Sequence, residues 1–143
     1  MNFEDFIKQS SSISYIYKIT PEVYYSFQRC SNDFNPLHTD EQWAKDKGFP
    51  NCVMYGNILN AFISHFVGML LPSRNVIIQT QDIAFHKPVF LNDEIKLEST
   101  IEEIPEAVSI VNYKFKFTKI IKTESKKSSL VAKGHVQIGF LEH

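Results

Sequence analysis

Gly56-Asn57-Ile58-Leu59-Asn60-Ala61-Phe62-Ile63-Ser64-His65-Phe66-Val67-Gly68-Met69-Leu70-Leu71 is the stretch on which the fold turns. Its apolar residues leave no wide polar face. That pattern predicts a helix from Gly56 to about Leu71, apolar nearly all round and wrapped by other structure. Pro72 and Ser73 end it. The run from Ile58 to Leu71 is about 14 residues and includes Asn60, Ser64 and His65, too short and too polar to span a bilayer.

Downstream, four strand candidates follow with no helix among them. Asn75–Phe85 comes first, and its faces are not cleanly separated, as in a strand covered on both sides at a subunit interface. Glu94–Ile101 sets Ile95, Leu97 and Ile101 against Glu94, Lys96, Glu98 and Thr100. In Ala107–Ile120, Val111, Tyr113, Phe115 and Phe117 face in, while Asn112, Lys114, Lys116 and Thr118 face out. Leu130–Phe140 carries Ala132, Val136, Ile138 and Phe140 on its inner face. Glu102–Glu106 and Thr123–Ser128 are the turns. Period-two alternation of this kind marks antiparallel strands with one wet face.

Upstream, Ile13, Tyr15, Tyr17 and Ile19 read as another strand. Thr20 as N-cap and Pro21 at the first helical position start a helix that runs to about Cys30. The Asp33–His38 run is a loop. Thr39 and Gln42 have capping-box spacing for a short helix from Asp40 to about Lys47, which Gly48 and Pro50 terminate. The expected class is therefore α+β, one domain over residues 1–143, an antiparallel β-sheet rolled around a long central α-helix.

Bulk properties remove several functions. The chain has 143 residues, 43% of them hydrophobic and 22% charged, with a net charge of −1. That balance offers no field for nucleic acid or an anionic membrane. Lys116, Lys119, Lys122, Lys126 and Lys127 are interleaved with Thr, Ser and Glu, which a solvated strand face and turn explain. The N-terminus carries Glu4 and Asp5 and no long apolar run, so it is not a signal peptide. The two cysteines, Cys30 and Cys52, lack metal-ligand spacing, and reduced thiols in a cytoplasmic protein are expected.

Asn32-Asp33-Phe34-Asn35-Pro36-Leu37-His38-Thr39-Asp40 is the stretch that bears on chemistry. One reading is purely local: Asn35-Pro36 makes a turn and Asp33 caps it. The other is that an acid and an imidazole, presented on one side of a loop fixed by Pro36, hold a water between them. One then removes its proton while the other supplies a proton to carbon. A metal site has only Asp40 as an obvious third ligand. Gly56 has two readings as well, a permissive backbone position or a helix-start N–H that stabilises an oxyanion such as a thioester enolate. Ser64 taken alone is a helix-interior Ser bonded back to the backbone. Tyr55 either lines the site or packs, and His65 and His86 are structural or surface residues.

These residues resemble a known family. Asp33-Phe34-Asn35-Pro36-Leu37-His38 is similar to the hydratase-2 motif of MaoC-like (R)-specific enoyl-CoA hydratases, which adopt the hot-dog fold. Ala44 and Gly48-Phe49 fall at family positions, as do Val53-Met54-Tyr55-Gly56, Ser64, and Phe85-His86-Lys87-Pro88-Val89-Phe90 with Asp93-Glu94. The similarity covers roughly Phe27 to Ile95 with specific motifs. It implies that Asp33 and His38 activate water across a trans-2-enoyl thioester of CoA or acyl-carrier protein. The product would be an (R)-3-hydroxyacyl thioester, and the reverse reaction is dehydration. Gly56 would supply the oxyanion N–H, Ser64 would assist near the pair, and Asn35 and Tyr55 would lie on the substrate side. No metal or redox cofactor is implied, and a homodimer or higher oligomer is. There are two departures from the family: Tyr55 stands where it has His, and Asn92 where it has Gly. A non-catalytic acyl-thioester-binding subunit and a thioesterase on the same fold are the competing functions.

Overall fold

In the computed structural model, residues 1–105, 109–123 and 128–141 are described. The elements run α1 (Phe3–Ser10), β1 (Ser12–Lys18), α2 (Pro21–Ser31), α3 (Pro36–Thr39), α4 (Glu41–Asp46) and α5 (Ile58–His65). A π-helical turn (Phe66–Leu70) follows, then β2 (Val76–Phe85), β3 (Glu94–Glu103), β4 (Ile110–Lys119) and β5 (Ser129–Phe140). The five strands make one antiparallel sheet in the order β1-β3-β4-β5-β2.

The central strands keep the period-two rule. Ile95, Leu97, Val111, Tyr113, Phe115, Phe117, Ala132, Val136 and Ile138 are buried. They meet Ile58, Leu59, Phe62, Ile63, Phe66 and Val67 of the central helix in one apolar cluster. The lysines of the wet face are paired: Lys116 with Glu98 at 3.4 Å, Lys119 with Asp93 at 2.7 Å and Lys122 with Glu94 at 3.5 Å. Glu106 and Ala107, in the expected turn and at the expected start of β4, and Glu124 to Lys127 lie outside the described residues.

Several sequence expectations are corrected. The helix predicted over Gly56–Leu71 is α-helical only from Ile58 to His65 and finishes as the π-helical turn. Bonding from i to i+5 returns the fifth residue to the same face, so Phe66 and Leu71, at 0% and 1% exposure, both point into the core. Nor is this helix wrapped on every side: Asn57, Ala61, Ser64 and Met69 form an exposed stripe along it. The Asp33–His38 run is not all loop, because Pro36–Thr39 forms a helical turn, α3, capped by Asn35. That turn occupies Thr39, so the next helix is capped by Asp40, whose carboxylate accepts the Trp43 N–H at 3.0 Å. Thr39 instead donates back to the Phe34 and Asn35 carbonyls. Helix α1 was not anticipated. Asn2 caps it, and Phe6 packs against Phe140 with ring centroids 5.0 Å apart.

Helix α2 matches expectation, with Thr20 accepting the Val23 N–H and Pro21 at its start. It ends at Asn32 in the left-handed region (φ 54°), where the cap N–H donates to the Gln28 carbonyl. Asn is among the few residues that adopt this conformation at little cost. The reversal aims the chain at Asp33.

Candidate active site

Asp33 and His38 face one another across the α2–α3 junction. The Asp33 carboxylate uses one oxygen to accept the Asn35 N–H at 3.0 Å, an Asx turn. Its other oxygen, Oδ2, lies 3.9 Å from His38 Nε2. The imidazole is held from its far side: Nδ1 sits 2.6 Å from the Val53 carbonyl. A carbonyl oxygen can only accept, so Nδ1 carries a hydrogen, and the tautomer this selects has its lone pair at Nε2, facing Asp33. The side chain of His38 is 15% exposed, that of Asp33 44%.

Three further contacts fix this corner. Leu37 accepts the Val53 N–H at 3.0 Å, tying α3 to the segment before α5. The Tyr24 hydroxyl lies 2.6 Å from the His38 carbonyl and 3.2 Å from that of Val53. Burial pushes the Tyr24 phenol up, so it stays a donor. Tyr24 and the Val53 carbonyl are partners of His38 that the sequence did not reveal. A backbone acceptor has no residue-type signature, and Tyr24 reads as one apolar position of α2.

A cavity of about 370 Å³ opens beside His38, lined by Leu37, Phe49, Met54, Leu59, Phe85 and Val89, among others. Gly56 is on its wall. Among the described residues no protein acceptor takes the Gly56 N–H. A Cβ there would stand 3.1 Å from the Phe85 ring, a tight contact to which the ring would have to yield. An apolar cavity with the imidazole of an acid–imidazole pair and an open N–H on its wall can take an acyl chain and polarise a carbonyl.

The remaining expected residues fall elsewhere. Asn35 caps α3, its side chain accepting the Leu37 N–H at 2.9 Å. Ser64 lies on the exposed stripe of α5, and no hydrogen bond joins it to Asp33 or His38. Tyr55 is 1% exposed and is not on the cavity wall; its hydroxyl is directed to the Asp33 carbonyl. His65 bonds the Tyr17 hydroxyl at 2.8 Å, and His86 lines the cavity. Among the described residues no group of three or more His, Cys, Asp or Glu is placed to hold a metal ion. Among them also, no helix is long and apolar enough to cross a membrane.

Residues 2–115 match the MaoC like domain. An (R)-specific enoyl-CoA hydratase of Aeromonas caviae is 33% identical over 81 residues, 57% of this chain and 60% of that protein. The corresponding protein of Rhodospirillum rubrum is 32% identical over 99 residues, 69% of this chain and 68% of its own length. The solved structure of the A. caviae (R)-hydratase superposes with a TM-score of 0.79 at 23% identity, covering 90% of this chain and 93% of that one. By fold and by sequence the chain belongs to the MaoC-like domain family and has the hot-dog fold.

Proposed function

We propose that this protein is a hydro-lyase that adds water to trans-2-enoyl thioesters of CoA or acyl-carrier protein, giving (R)-3-hydroxyacyl thioesters, or runs the reverse dehydration. One observation carries the reading: His38, which lines the apolar cavity, has Nδ1 committed to Val53 and Nε2 3.9 Å from Asp33 Oδ2. Both facing atoms are acceptors, so a single water donates one hydrogen to each. As the water oxygen bonds to C3, His38 takes its proton and Asp33 orients it. Charge that moves onto the thioester oxygen is met by the Gly56 N–H. The imidazolium then returns the proton to C2, so one H and one OH are added and no cofactor is consumed.

The test is the loss of enoyl absorbance when the protein meets a short trans-2-enoyl-CoA, with Asp33→Asn and His38→Gln beside it. Turnover is expected with the parent and a fall of about 100-fold or more in each variant, in line with general acid–base contributions. Near-parental rates in either variant would remove the pair from the mechanism. Release of free thiol from a saturated acyl-CoA would point to thioester hydrolysis instead.

The same reading includes a homodimer formed through the edge strand β2 and the exposed stripe of α5. Ile77 and Phe85 are 52% and 51% exposed on β2, and Met69 is 58% exposed beside it. Such an edge is a template for pairing with a second strand. A cytoplasmic location is supported by Cys30 and Cys52, both free thiols.

A further inference from the structure

Tyr55 is one of the two departures noted in the sequence, and its surroundings are specific. Its hydroxyl donates to the Asp33 carbonyl at 2.6 Å and accepts from the Gln28 side-chain amide at 2.9 Å. Its ring lies over the His38 imidazole, with centroids 4.1 Å apart and planes 27° from parallel. Tyr24 and Phe27 hold that ring from α2, each at 5.2 Å. One buried side chain therefore touches the main chain of the acid and the face of the imidazole. The next residue along the chain is Gly56, on the cavity wall.

We infer that Tyr55 is a positioning residue that sets the separation of Asp33 and His38 and locks both to the oxyanion N–H of Gly56. The inference rests on the hydration reading above. The physical argument is that Asp33 is otherwise weakly held. It follows the left-handed Asn32, its side chain is nearly half exposed, and its carboxylate bonds only within its own turn. The phenol supplies the long-range tie. A phenol has one hydrogen and two lone pairs, so donating to Asp33 while accepting from Gln28 uses its only hydrogen and one lone pair. Desolvation raises the Tyr55 pKa, with the Asp33 charge adding to it and the Gln28 bond opposing it, so the donor hydrogen is retained. The stacked ring also restricts rotation of the imidazole and offers a π-face to the imidazolium formed during turnover. The side chain has no cavity-wall position, so its effect falls on the geometry of the reacting pair and not on substrate binding.

The test compares the full-length parent with Tyr55→Phe, Gln28→Leu and the double variant. Two readouts are taken: steady-state hydration of a short trans-2-enoyl-CoA, and amide hydrogen exchange at Asn35, whose N–H binds the Asp33 carboxylate. Tyr55→Phe keeps the ring and removes only the hydroxyl. The expected result is a kcat about 10- to 100-fold lower, the scale on which small misplacements act, with KM within about twofold of the parent. Asn35 exchange should quicken. Gln28→Leu should act in the same direction, more weakly, and add nothing once the hydroxyl is gone, because Gln28 works through it. Parental kcat in Tyr55→Phe, unchanged Asn35 exchange, or additive effects of the two substitutions would each overturn the role. A parent that hydrates no enoyl thioester would instead sink the functional reading, leaving Asn35 exchange to decide the positioning role by itself.

Discussion

Asp33, His38 and Gly56 contribute little to the core, and each is constrained by a neighbour that a short motif does not name. His38 is oriented by the Val53 carbonyl, Asp33 by its own Asx turn and Tyr55, and Gly56 by the Phe85 ring. The last of these separates packing from chemistry. In Gly56→Ala the new methyl meets a ring that is half exposed and free to turn, so stability should change by less than about 1 kcal/mol. Turnover should fall at least about tenfold, because the methyl and the displaced ring crowd the N–H that the thioester oxygen must reach. Thermal melts beside enoyl hydration assays check this; a large loss of stability, or parental turnover, would contradict it.

At the scale of elements, strand β2 differs most from its neighbours. It runs beside β5 with a register shift between Ile78 and Thr80, and no described strand pairs with its other edge. At Gly134 the two strands approach so closely that a Cβ would collide with the Asp82 carbonyl, so β5 admits only glycine there. The poor separation of faces read in Asn75–Phe85 thus has a concrete form. In one chain the strand is exposed almost throughout, with Ile77, Ile78 and Phe85 open to solvent. If that edge pairs with a second copy, light scattering should give twice the chain mass at micromolar concentration. Ile77→Lys, which puts a charge into the contact, should then give monomer. A monomeric parent would refute the assignment. Helix α5 makes a related point: its composition is apolar enough for complete burial, yet one stripe stays uncovered in the single chain.

Across the whole molecule, buried phenols tie helices to the sheet. Tyr113 of β4 donates to Ser10 of α1 at 2.7 Å, and Tyr17 of β1 reaches the Phe62 carbonyl of α5 at 3.2 Å. Burial pushes the Tyr113 phenol up from 10.0 to about 12, with the Ser10 bond opposing the rise, and pushes Tyr17 up as well. The unfolded chain therefore loses these protons at lower pH than the folded one. The associated stability is fully present below about pH 10 and is lost as pH rises through about 12. Denaturation midpoints should be flat approaching pH 10 from neutrality and fall beyond it, less steeply in Tyr113→Phe. An equally steep fall in that variant would show that Tyr113 is not a source.

Local chemistry and periodicity made much of this protein legible from its sequence. Thr20-Pro21 starts α2, alternating apolar residues mark β3, β4 and β5, and the Asp33–His38 motif with Gly56 names the pair and the cavity wall. Such signals depend on neighbours a few residues apart, so they survive without knowledge of the fold. Features set by distant contacts were not legible. The π-helical turn exists because Phe66 and Leu71 must share the core face. Asp40 displaces Thr39 as a cap because α3 takes Thr39 first. Tyr55 could be read as lining the site or as packing. Only the tertiary structure showed that it packs, with Gln28, Asp33 and His38 gathered around one ring.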